Sequence, residues 1–143
     1  MTGKTEQSTK HILFIIDLAH QVGDLYQKGD ADGMAKFYAD TCKGVGPGLP
    51  DKGITLAEQV AAWKKDFADW DQIKMTIQGY PDGLDYTKEG FVVQIWFAFS
   101  GVNKKTQKAA KTNMVLFLSY NKDKKISSSL MYYDPTPLIA AAQ

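Results

Sequence analysis

The sequence predicts an α+β domain in which three helices pack on one face of an antiparallel sheet. Up to about residue 70, apolar residues recur at three-to-four spacing. Beyond that point they alternate, and clusters of Gly, Pro, Asn and Lys separate the alternating runs. At 143 residues, with no internal repeat or linker composition, the chain reads as one domain spanning 1–143.

The first helix is expected over residues 9 to 28, with Ser8 or Thr9 as N-cap and Ile15, Leu18, Val22 and Leu25 on its apolar side. Gly29 ends it, and Asp30 caps a second helix from Ala31 to Asp40 that presents Met34, Phe37 and Tyr38. The stretch Thr41 to Gly53, T-C-K-G-V-G-P-G-L-P-D-K-G, holds four of the twelve glycines and reads as a bend, with a flap over residues 42–53 as its functional version. Thr55 to Glu58, T-L-A-E, forms a capping box for a third helix over about 55–69, whose apolar side carries Val60, Trp63, Phe67 and Trp70.

Strands follow from Ile73, from Phe91, from Thr112 to Tyr120 and from Ile126 to Tyr133. Turns are expected at Pro81 to Gly83, Lys88 to Gly90, Val102 to Thr106 and Asn121 to Lys124. The tail from Pro135 to Gln143 carries two prolines, which argue against a further strand.

Alternation places Ile73, Met75, Ile77, Phe91, Val93, Ile95, Phe97, Phe99, Met114, Leu116, Leu118, Met131 and Tyr133 on the face toward the helices. The opposite face holds Val92, Trp96, Ala98, Val115, Phe117, Ile126, Leu130 and Tyr132, where a solvated sheet would be polar. Aromatic side chains bury about 150–250 Å² each, so this face exceeds the usual monomer patch of about 300–600 Å². A homodimer through Val92, Trp96, Val115, Phe117, Leu130 and Tyr132 is expected.

The charge pattern excludes several functions. Seventeen cations against 16 anions give no basic excess for nucleic acid or an anionic membrane. Every cation is a lysine, so any mechanism built on an arginine clamp is ruled out. Cys42 with His11 and His20 is too small a set for a Cys/His zinc site, and no metal or cofactor is expected. The run Ile12 to Ile16 is far short of a membrane span, and the polar N-terminus has no apolar signal core, so a cytoplasmic protein is expected. The glycines between Gly44 and Gly48 match neither a dinucleotide-binding nor a Walker-type phosphate loop.

Three stretches resemble the nuclear transport factor 2-like superfamily, in its branch of ketosteroid isomerases and SnoaL-like polyketide cyclases. They are L-Y-Q-K-G-D-A-D-G-M-A-K-F-Y-A-D from Leu25 to Asp40, G-I-T-L-A-E-Q-V-A-A-W from Gly53 to Trp63, and L-M-Y-Y-D from Leu130 to Asp134. The resemblance spans about residues 9 to 134. It implies a strongly curved sheet wrapped around a long helix as a cone with an apolar cavity, and dimerisation through the outer sheet face. It also implies that the isomerases' general base falls at Gly46, their oxyanion-hole tyrosine at Val22 and their neutral carboxylic acid at or beside Leu116. Glycine, valine and leucine can neither take a proton nor donate to an enolate, so isomerase chemistry from those three positions is excluded.

If the family geometry holds, a ligand would meet Val22, Tyr38, Trp63, Phe67, Phe97, Met114, Leu116, Ser129, Met131 and Tyr133. Their bias toward Phe, Met and Trp suits an adaptable site for a small hydrophobic molecule. Binding without catalysis is the first reading. The alternative is a cyclase, isomerase or dehydratase acting on a carbonyl compound through Tyr133 and a rim carboxylate, Asp134 or Asp40; a third is a protein-interaction module. His20 sits among carboxylates on helix one, and Cys42 reads as a small buried apolar residue.

Overall fold

The computed structural model describes residues 2–86 and 90–143. In chain order it runs α1 (Thr2–Lys28), α2 (Ala31–Ala35), β1 (Tyr38–Val45), α3 (Leu56–Asp69), β2 (Trp70–Ile77), β3 (Asp82–Tyr86), β4 (Gly90–Asn103), β5 (Ala109–Tyr120), β6 (Ile126–Tyr133) and α4 (Thr136–Ala142). The α+β class stands, but with a fourth helix and two strands beyond the expected ones.

Helix α1 buries Ile15, Ala19 and Val22, the side its periodicity marks. It begins at Thr2, so Ser8 and Thr9 lie inside the helix and neither is its N-cap. At the other end Gly29 takes φ +75°, its N–H donates to the Tyr26 carbonyl and the Asp30 N–H reaches the Leu25 carbonyl, a Schellman stop. Asp30 then caps α2 by accepting from the Gly33 N–H at 2.8 Å.

Helix α2 is much shorter than the Ala31–Asp40 expectation, because from Tyr38 the chain pairs with β6. Tyr38 therefore belongs to a strand, with Tyr38, Cys42 and Gly44 buried and their neighbours outward. Tertiary pairing overrides the helical spacing of Met34, Phe37 and Tyr38. This pairing is parallel, so the sheet is a meander with one parallel strand added at its edge, in the order β1-β6-β5-β4-β2. The glycine-rich stretch accordingly splits: through Val45 it is strand, and only from Gly46 is it a bend.

Helix α3 matches its expected span, and both capping-box bonds form: Glu58 N–H to Thr55 Oγ1 at 3.2 Å and Thr55 N–H to Glu58 Oε2 at 2.7 Å. The long strand β4 pairs β5 along one edge; its other edge takes β2 at one end and β3 at the other. In the expected turn at Pro81 to Gly83, Asp82 and Gly83 instead begin β3. Glycine stands at 83 because α1 crosses there: a Cβ would lie 2.3 Å from Ile12 Cγ2. Of the turn expected at Lys88 to Gly90, 88 and 89 lie outside the described residues, and Gly90 opens β4.

The β4–β5 turn starts after Asn103, whose Oδ1 accepts from the Lys105 and Thr106 N–H groups. The β5–β6 hairpin carries a bulge between Ser119 and Tyr120. This bulge reverses the expectation for Ile126: it is fully buried in the core cluster rather than on the outer face. The tail forms α4, which places Leu138 against the core. No helix among the described residues is long and apolar enough to cross a membrane.

Candidate active site

Between the inner face of the sheet and helices α1 and α3 lies a cavity of about 310 Å³. Phe97, Phe99, Met114, Leu116 and Met131 form its sheet wall, and Trp63, tilted against the Tyr38 ring at a centroid distance of 5.1 Å, forms part of its helical wall. Every residue assigned to a ligand site from the sequence lines this cavity except Phe67, which turns away and packs on Tyr26 and beside Gly29. Val22, Gly46 and Leu116, the three positions where the isomerase pattern calls for polar groups, also line it as apolar surface.

Its polar groups come from elsewhere. The Tyr26 hydroxyl donates to Asp66 Oδ2 at 3.0 Å, and Tyr26, Asp66 and Tyr133 all line the cavity. Burial pushes the Asp66 carboxyl up from its ordinary value to about 6, although the Tyr26 bond and Lys65 pull it down. Burial, with the Asp66 charge nearby, holds the Tyr26 phenol well above its usual range and raises Tyr133 as well. The result is a carboxyl that is largely ionised at neutral pH beside two phenols that stay protonated.

A second polar group sits two turns earlier on α3. Gln59, only 5% exposed, accepts from Ser129 Oγ at 3.3 Å, and its Nε2 lies 3.5 Å from the Ile54 carbonyl and 3.9 Å from Cys42 Sγ. Gly44 makes room for it: a Cβ there would lie 2.6 Å from Gln59 Cδ. One glycine of the bend-like stretch thus serves the packing of the cavity wall.

The two rim carboxylates do not join this group. Asp40 is exposed on β1, and Asp134 is exposed and accepts from the Thr136 N–H at 3.0 Å at the start of α4; those Thr136 bonds hold its carboxyl below the ordinary value, the wrong direction for a base. Neither lines the cavity. Cys42 is buried on β1 with its thiol pushed up by burial, so it offers no thiolate. His20 lies at the cavity's exposed margin and makes no ion pair among the described residues. Those residues include no cluster of His, Cys, Asp and Glu that could hold a metal.

Asp66 and Tyr26 escaped the sequence reading, although a signal was present. Gln59, Trp63, Asp66 and Trp70 repeat at three-to-four spacing, which puts a carboxylate and an amide on the apolar stripe of α3; Tyr26 lies one helical turn beyond Val22.

No protein-family model matches the chain, and no curated protein matches it. Solved structures do. A nuclear transport factor 2-like protein from Burkholderia thailandensis superposes with TM-score 0.71 at 16% identity, over 90% of this chain and 97% of its own. The chain has the nuclear transport factor 2-like fold. A protein of ketosteroid isomerase-like fold from Catenulispora acidiphila, solved with trimethylamine, gives 0.67 at 17% identity over 87% and 91%. The BvnE pinacolase from Penicillium brevicompactum gives 0.71 at 11% identity over 88% and 89%. Identities this low establish the nuclear transport factor 2-like fold and leave the chemistry to the residues of this chain.

Proposed function

We propose that this protein binds a small apolar carbonyl compound inside a cone formed by its curved sheet and helices, and transfers a proton on it with Asp66 as general base. The observation that carries this reading is Asp66 itself, a carboxyl lining an apolar cavity, held by a tyrosine and tuned to about 6. A base with a pKa near the working pH is both ionised and strong enough to take a carbon-bound proton. Asp66 removes a proton next to the carbonyl, the C–H electron pair moves to form the enolate, and the Tyr133 hydroxyl donates to the enolate oxygen. Asp66 then returns the proton to the substrate at a different carbon, or the enolate carbon attacks a second carbonyl carbon of the same molecule to close a ring, the C=O π electrons move to that oxygen, and the oxygen takes the proton from Asp66.

The test needs no natural substrate. Tetralone or decalone in heavy water exchanges the protons beside its carbonyl, which NMR follows directly. The protein is expected to accelerate exchange, Asp66→Asn to lower the acceleration by about 10²-fold or more, and Tyr133→Phe to lower it by about tenfold or more. Ketone binding with no acceleration of exchange would leave a binding module and refute the base.

A further inference from the structure

The cavity wall repeats one pattern on two independent elements. On α3 the cavity-lining residues run Gln59, Ala62, Trp63, Asp66; on β6 they run Ser129, Met131, Tyr133. Both begin and end on a polar side chain with apolar ones between. The Ser129 Oγ to Gln59 Oε1 bond aligns one pair of ends, and the influence of the Asp66 charge on Tyr133 marks the other. Seven residues of helix separate Gln59 from Asp66 by about 10 Å, and four of strand separate Ser129 from Tyr133 by about 13 Å. The cavity therefore has two polar poles with an apolar waist between them.

The Gln59 pole is built and under-used. A primary amide has two N–H donors and two acceptor lone pairs. Gln59 is almost fully buried; its Oε1 accepts from Ser129 at 3.3 Å and its Nε2 donates to the Ile54 carbonyl at 3.5 Å and to Cys42 Sγ at 3.9 Å. Both bonds to oxygen are longer than the roughly 2.9 Å of a good hydrogen bond, and one Oε1 lone pair takes no donor among the described residues; β1 carries glycine where a side chain would displace the amide.

We infer that Gln59 and Ser129 form a second binding subsite, which takes an oxygen function at the end of the ligand remote from Asp66. The preferred ligand is thus a rigid apolar molecule bearing an oxygen at each end, about 10 Å apart, and not an amphiphile with one polar head. This rests on the cavity binding an apolar compound, as proposed above, and is independent of any proton transfer.

Calorimetric titration with biphenyl, its para-hydroxy derivative and its para,para′-dihydroxy derivative tests it. The dihydroxy compound is expected to bind the wild type roughly tenfold more tightly than the monohydroxy compound, the gain expected of one good buried hydrogen bond. Ser129→Ala, a mild change that preserves the strand, and Gln59→Leu are each expected to shrink that ratio to twofold or less. Equal binding of the two compounds by the wild type, a ratio that survives both substitutions, or no binding of any of the three overturns the subsite. Ketone exchange abolished by Asp66→Asn alongside an unaltered ratio would overturn it while sparing the base; a lost ratio in Ser129→Ala without any exchange activity in the wild type would do the reverse.

Discussion

The Tyr26 hydroxyl on α1 donates to Asp66 on α3 at 3.0 Å, linking two residues forty positions apart through the cavity wall. Lys65 and Asp69 on α3 and Tyr133 on β6 also feel or modify that charge, but burial dominates and sets the carboxyl near 6. The folded pKa lies above the unfolded value of about 3.9, so the fold favours the protonated form. That advantage is complete below about pH 4 and is lost as pH rises through about 6; ionised Asp66 then costs the fold up to about 3 kcal/mol. Asp66→Asn should therefore stabilise the protein by up to about 3 kcal/mol at pH 8 and hardly at all at pH 4, measured by urea unfolding. An equal effect at both pH values would show that the carboxyl is not perturbed.

Tyr26→Phe removes a hydrogen bond that favours the ionised carboxylate, so the Asp66 midpoint should move upward. A bond to a charged group is worth about 1.5 kcal/mol or more, which corresponds to about one pH unit. The pH profile of ketone exchange, which should rise through about 6 in the wild type as the base ionises, would rise about one unit later in the variant. An unchanged midpoint would mean that the phenol only fills space.

Much of the fold can be read from local chemistry. The capping box of α3, the Gly29 stop and the alternation of β4 each depend on residues close in sequence. What could not be read depends on distant partners: β1 is a strand only because β6 lies beside it, β3 carries a glycine because α1 crosses it, and Ile126 faces inward because a bulge shifts the register. The site divides in the same way. Its apolar wall follows from periodicity, whereas the Tyr26–Asp66 pair is a contact across forty residues that neither helix announces alone.

Tyr120 presents a different buried phenol. It is fully buried, and its hydroxyl has no hydrogen-bond partner among the described residues. An unsatisfied buried hydroxyl costs about 1–3 kcal/mol, and deleting it leaves the ring's packing intact. Tyr120→Phe should stabilise the protein by about 1 kcal/mol in urea unfolding at neutral pH. A loss of more than that amount would show that the hydroxyl has a partner in solution.

On the outer face, Trp96, Val115 and Tyr132 stand in register across β4, β5 and β6, with Phe117 and Leu130 in the next row. Trp96 and Tyr132 are 48% and 56% exposed, while Val115 between them is only 8% exposed, so the row already packs as a unit. The C-terminal segment does not shield it, because α4 turns Leu138 toward the cavity. We propose that a second copy covers this face, burying the two aromatic rings against their counterparts. Sedimentation equilibrium at micromolar concentration should give a dimer for the wild type. Trp96→Lys should give a monomer with an unchanged cavity, because a lysine can be accommodated in solvent but not in an apolar interface. A monomeric wild type would refute the pairing.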